Sequence, residues 1–284
     1  MKLFKSNYYY LVAGLPDLLP DQGKIKVSVA EFKTEIEPYL QPDDFALIKL
    51  LFLKYDNKNL LNLLQKQPFT FDTRGNYDLD FLEEQIREQD LRLPSYLAGF
   101  IKSFKEGIRE NEETSWENEL ETLYYQHLNN TKNEFLREWF AFSLNIKNIT
   151  TALNCRKHNF RPENELVGDN FVVQSILRSN SRDFGLMQEF PEIDKILNLW
   201  ESENLMEREK QIDLMYWQWI DIHTFFHYFT IEKILGFIIQ LEIVERWLSL
   251  DRQTGETMFR QLLENIGKGF TLPDDFKIQY VTSK

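Results

Sequence analysis

Phe135, Trp139, Phe142, Ile146, Ile149 and Leu153 follow one another at alternating intervals of four and three residues. At 3.6 residues per turn this places them on one face of a helix, as a core-facing stripe. A second row, Ala141, Asn145, Asn148, Ala152 and Arg156, lies roughly 100° round the same cylinder. It is small, amide-bearing or basic throughout, and either a second neighbour packs against it or it faces water. A buried amide left unbonded costs about 1–3 kcal/mol. If the row is covered, Asn148 must therefore bond a neighbouring backbone or side chain and fix how two segments meet.

The same helical period runs through most of the chain, punctuated by only 11 glycines and 9 prolines. It predicts an all-α protein. Helices are expected over 43–65, broken or bent at Tyr55, Asp56 and Asn57, and over 79–91 and 95–111, divided at Pro94. Two more fall within 115–157, separated near 129–133, with Ser115 as the cap of the first. Further helices are expected over 170–178, 192–200, 205–227, 230–249 and 254–266. One short N-terminal β hairpin is the exception: Tyr8, Tyr9, Tyr10, Leu11 and Val12 have strand propensity and can pair with residues 24–29. The segment 267–284, with two glycines and Pro273, reads as a flexible tail.

Residues 50–66 and 139–155 align without a gap. Leu50 matches Trp139, Leu53 matches Phe142, Asp56 matches Asn145, Asn59 matches Asn148, Leu60 matches Ile149 and Leu64 matches Leu153. The shared element is a carboxylate or amide, two residues, Asn, an aliphatic residue, and another aliphatic four later. This points to an internal structural repeat.

Composition narrows the function classes. The chain has 284 residues, 43% of them hydrophobic, enough for one domain, 1–284, built of helical lobes. Lys and Arg number 33 against 45 Asp and Glu, a net charge of −12, which disfavours nucleic acid as a partner. With Cys155 as the one cysteine there is no intramolecular disulfide and no four-cysteine zinc site, and a cytoplasmic location is expected. The N-terminus lacks the apolar core of a secretory signal, and the longest apolar run, 234–244, is too short to span a bilayer.

The repeated pattern resembles a recurring motif of the V-type and A-type ATPase subunit called C in prokaryotes and d in eukaryotes. Residues 209–220 are similar to that family's late acidic and aromatic stretch through Glu209, Ile212, Asp213 and Tyr216. Residues 234–248 are similar to its last lobe through Gly236, Phe237, Glu242 and Arg246. Residues 6–18 resemble the start of an uncharacterised bacterial branch of this subunit, encoded among V-type ATPase genes. Asn145 stands in place of the usual acid, Asn154 in place of an arginine, with Arg156 two residues on, and Leu241 in place of a lysine. The resemblance implies a multi-lobed helical funnel and a non-catalytic central-stalk subunit. Such a subunit links the membrane proteolipid ring to the stalk, transmits torque, and sits peripherally on the inner face of the membrane through the complex. It needs no cofactor, and its partners are the proteolipid ring and the central-stalk subunits. Asp56, Asn59, Asn145, Asn148, Arg156, Glu242, Glu245 and Arg246 are the structural or interface candidates.

Two other readings stand beside it. One is a helical scaffold unrelated to the ATPase. The other is a metal enzyme using His223 and His227, whose i and i+4 spacing on a helix can aim two imidazoles at one ion. Thr224 stands where a zinc-protease helix carries its glutamate, and the surrounding Trp217, Trp219, Phe225, Phe226 and Phe229 suit a buried aromatic helix rather than one that touches lipid. Cys155 with His158 lacks a third group and an oxyanion hole. Glu242 and Glu245 form either a carboxylate pair for acid–base work or a solvated or intersubunit salt-bridged edge beside Arg246. No GxxxxGK[ST] phosphate loop is present, so the chain is not expected to be an ATP-hydrolysing enzyme by itself.

Overall fold

The computed structural model describes residues 7–88, 92–109 and 111–267, with side chains up to residue 250. The protein is all-helical, and among the described residues there is no strand. The helices are α1 (Tyr9–Ala13), α2 (Val29–Ile36), α3 (Pro42–Gln65), α4 (Leu79–Arg87), α5 (Ser95–Glu106) and α6 (Trp116–Asn129). They continue as α7 (Glu134–His158), α8 (Phe171–Arg178), α9 (Glu192–Trp200), α10 (Leu205–Thr224) and α11 (Ile231–Gly267). The proposed tail beyond Gly267 lies outside the described residues.

Local chemistry sets most of the starts. Asp78, Ser115, Asn133, Asn170 and Asn204 each accept a hydrogen bond from the backbone N–H three residues on. Each thereby satisfies one of the four donors a helix leaves open at its N-terminus. Ser28 goes further and forms a reciprocal capping box with Glu31. The stripe along α7 is buried along its whole length, from Phe135 to Leu153.

Four sequence expectations give way. The N-terminal hairpin is absent: residues 9–13 form a helical turn, and Ser28, expected inside the second strand, is the cap that opens α2. Strand propensity reflects the fit of a side chain to a pleated sheet, and Tyr8 finds its place in a helical core instead, its hydroxyl on the Asp44 carboxylate. The break at residues 55–57 does not occur, because Asp56 and Asn57 direct their side chains to other segments rather than to their own backbone. The gap expected between 249 and 254 is bridged by one helix, α11. Finally, α10 stops at Thr224, and Phe225, Phe226 and Tyr228 beyond it are exposed, as is Ile222 in its last turn, where a buried aromatic helix was expected.

The core is continuous from α2 to α11. Its centre is aromatic: Trp139 and Phe142 of α7 pack against Tyr216 and Trp219 of α10, with Phe142 stacked on Trp219 at 5.4 Å. Helices α10 and α11 form an antiparallel pair whose close approach depends on Gly236. A Cβ there would lie 2.8 Å from Thr224 Cγ2 and 2.9 Å from Ile220 Cγ2. Gly236→Val is expected to lower stability by about 1–3 kcal/mol through overpacking, measured by chemical denaturation, with the far-ultraviolet circular dichroism of the folded state unchanged.

Candidate functional site

The amide row is covered at its middle, where Asn148 and Ala152 are buried and Asn145 half-buried, while Ala141 and Arg156 at its ends are exposed. Asn148, fully buried on α7, donates from Nδ2 to the carbonyl of Val167 at 2.9 Å and accepts at Oδ1 from the Val167 N–H at 2.9 Å. Asn59, its counterpart on α3, does the same to Asp72, at 2.8 Å and 2.9 Å. Each asparagine thus supplies both hydrogen bonds of one backbone residue in the loop that follows its helix. The loops run across helices rather than beside strands, so the buried Val167 and the half-buried Asp72 have no ladder to join.

The second position of the pattern works beside the first. Asn145 Oδ1 accepts from Asn170 Nδ2 at 2.9 Å, tying the cap of α8 to α7. Asp56 accepts from the N–H groups of Asn76 and Tyr77 at 2.8 Å and 3.1 Å, and from Asn76 Nδ2 at 2.8 Å. The chain passes so close that a side chain on Gly75 would collide with this carboxylate. Arg156 completes the α7 row: its guanidinium lies 3.7 Å from the Phe184 ring centroid and donates to the carbonyls of Ser179 and Arg182. Asp56, Asn59, Asn145 and Asn148 join a long helix to the loop that follows it, Arg156 joins α7 to the loop after α8, and Asn59 and Asn148 do the same work in the two aligned segments.

Asp56 sits in a charged knot that sequence reasoning missed. Lys33 of α2 donates to the carbonyls of Arg74 and Gly75 and to Asn76 Oδ1, at 3.2, 2.9 and 3.0 Å, and lies over the Phe52 ring. Burial brings the Lys33 ammonium down to about 8, against the pull of Asp56. Burial likewise raises the Asp56 carboxyl to about 6, although the Tyr77 and Asn76 donors oppose it. No spacing in the sequence links residue 33 to residue 56, since the loop between 72 and 77 brings them together.

The remaining candidates lie on α11 around a central hollow. Two adjoining concavities, of about 760 and 940 Å³, share Lys54, Lys58, Trp139, Asp213, Tyr216, Glu242 and Arg246. The walls are α3, α6, α7, α10 and α11. Most of the charges on them are paired. Glu242 accepts from Lys54 Nζ at 2.7 Å and from the Tyr55 hydroxyl at 2.6 Å. Lys147 of α7 pairs with Glu121 of α6. Asp213 of α10 accepts from Arg246 and, at 2.6 Å, from Trp247 Nε1, and Arg246 also reaches Glu209 at 3.7 Å. Glu245 turns toward Arg74, 4.0 Å away, and burial raises its carboxyl. Glu242 and Glu245 therefore diverge to separate cations and form a salt-bridged edge between elements, not a pair aimed at one reacting atom.

The other chemical candidates do not assemble. His223 stacks on Trp219 at 3.7 Å with Nδ1 on the Trp219 carbonyl at 2.7 Å. His227 lies beyond the end of α10, 3.5 Å from Glu232. Because the helix ends between them, the shared face required by the metal reading does not exist. Among the described residues no group of three or more His, Cys, Asp or Glu is placed to hold a metal ion. Cys155 is buried, which raises its thiol, while His158 is exposed.

The family model described as "Protein of unknown function (DUF2764)" matches residues 5–270. No curated protein and no solved structure matches the chain.

Asn148→Leu leaves the Val167 N–H and carbonyl without partners, and is expected to destabilise the protein by about 1–3 kcal/mol for each group orphaned. Chemical denaturation reads this loss; an unchanged midpoint would mean that the clamp contributes nothing. Asp56 gives a pH signature. Its folded carboxyl titrates above its ordinary value of 3.8, so the native state holds the extra proton between the two values. Its contribution to stability therefore falls as pH rises from about 4 to about 6 and is level above that. The difference in unfolding free energy between wild type and Asp56→Asn, followed across this window, should shrink as pH rises; a difference constant with pH would contradict it.

Proposed function

The chain belongs to the DUF2764 family, and we propose that it acts as a non-catalytic linking subunit of a rotary V-type ATPase, joining the membrane proteolipid ring to the central stalk. The observation that carries this reading is the repeated clamp. The Asp56 and Asn59 pair of α3 and the Asn145 and Asn148 pair of α7 carry the resemblance to the ATPase subunit. Asn59 and Asn148 each make both bonds to one backbone residue of the following loop, and Asp56 and Asn145 each accept a further bond from that loop.

Two further features support it. Transmission of torque requires a body that does not yield between its ends, and buried amides with both bonds made resist sliding of one segment past another. The hollow between the long helices has walls already held by ion pairs from α3, α6, α7, α10 and α11. Its 760 Å³ portion corresponds to roughly one and a half turns of a helix about 10–12 Å across. This suits a socket for the end of a stalk element more than a reaction chamber. Among the described residues no helix is long and apolar enough to cross a membrane.

The test is affinity purification of the tagged protein from gently solubilised native membranes, with mass spectrometry of what accompanies it. Co-purification of the proteolipid ring and the central-stalk subunits in stoichiometric amounts is expected. Recovery of the protein alone, at native expression, would remove the ATPase reading and leave the helical scaffold.

A further inference from the structure

We propose that the turn between α10 and α11, together with α1, forms a tip that docks on a lipid bilayer interface whose headgroups carry no net charge. The tip is built from both ends of the sequence. The Phe225 and Phe226 rings meet edge to face at 4.9 Å, and Tyr9 packs on Phe229 at 4.6 Å. The N–H of Tyr8 donates to the Phe229 carbonyl at 2.6 Å, and its ring is buried in the core, which anchors α1 beside the turn. Beyond that anchor the side chains point to solvent: Phe225 is 64% exposed, Phe226 79%, Tyr228 62% and Tyr10 96%, with Ile222 at 70%. Contiguous exposed apolar surface of this kind marks a contact site, whereas single exposed apolar residues do not.

Charge selects the occupant. Residues 222–230 contain no Asp, Glu, Lys or Arg, in a chain 27% charged. The acids on either side are engaged, Asp221 with Gln240 and Glu232 with Thr230 and Asn133. His223 is turned onto Trp219, and His227 faces Thr230 and Glu232. Residues 222–230 themselves offer no ionic partner to a charged surface, the next cation along the chain being Lys233 in the first turn of α11, and the overall charge of −12 opposes approach to an anionic surface. A neutral headgroup layer is the complement, with Phe and Ile entering the acyl boundary and tyrosine hydroxyls staying at headgroup level. The inference is independent of the ATPase reading, and vesicles alone test it.

The purified full chain is sedimented with phosphatidylcholine vesicles, and separately with vesicles containing phosphatidylglycerol, at about 50 and about 500 mM NaCl. Wild type is expected to bind phosphatidylcholine vesicles equally at both salt concentrations. The double variant Phe225→Ser, Phe226→Ser is expected to bind at least about tenfold more weakly. Its thermal unfolding should match wild type, since both rings are exposed. Phe160→Ser, which removes an exposed aromatic outside the tip, should bind like wild type. The proposal is overturned if wild type stays in solution with phosphatidylcholine vesicles. It also fails if binding needs phosphatidylglycerol and is released by salt, or if the double variant binds as tightly as wild type. None of these outcomes alters what co-purifies with the protein from native membranes.

Discussion

A side-chain amide that bonds both the N–H and the carbonyl of one loop residue is the interaction on which the rest of the structure depends. The loops after α3 and α7 cross the faces of helices, and no neighbouring strand is there to bond the backbone of half-buried Asp72 or of buried Val167. Asn59 and Asn148 meet that requirement at Asp72 and Val167. An amide is the side chain that can donate and accept at once, whereas a carboxylate in the same place would only accept. Asp56 shows the complementary case, since every group bonded to it is a donor.

These clamps fix the geometry on which the central hollow depends. With its loop held to α3, Arg74 reaches both Asp72 and the neighbourhood of Glu245 on α11, and Lys33 of α2 closes over the same loop. Glu242 then meets Lys54 and Tyr55 of α3, while Arg246 meets Asp213 of α10. Three positions within five residues of α11 thus address three different elements. Half-buried ion pairs of this sort contribute less to stability than to register, because desolvation offsets much of their attraction. Their effect is to set where the long helices stand relative to one another.

Apolar burial and polar specification are separated along the chain. Trp139, Phe142, Tyr216 and Trp219 supply the packed centre, and the amides and ion pairs lie around it. At the turn after α10 the aromatic run continues past the end of the helix and past the core. The same residue types therefore serve as interior at Trp217 and Trp219 and as surface at Phe225 and Phe226.

The sequence by itself determined the fold class, most helix starts, the stripe on α7 and the correspondence of Asn59 with Asn148. Each of these is written in local periodicity, in capping side chains, or in a pattern repeated at a fixed offset. It did not determine the continuity of α3 through Asp56, the end of α10 at Thr224, or the place of Tyr8 in a helical core. Nor did it reveal Lys33, Lys54, Tyr55 and Arg74, whose partners lie between 2 and 188 positions away with no common spacing. Turn propensity and strand propensity describe what a residue does when its neighbours in space are unspecified. Tertiary structure decided these points because burial assigns each polar group a partner, and that partner depends on where distant segments meet rather than on the residues beside it.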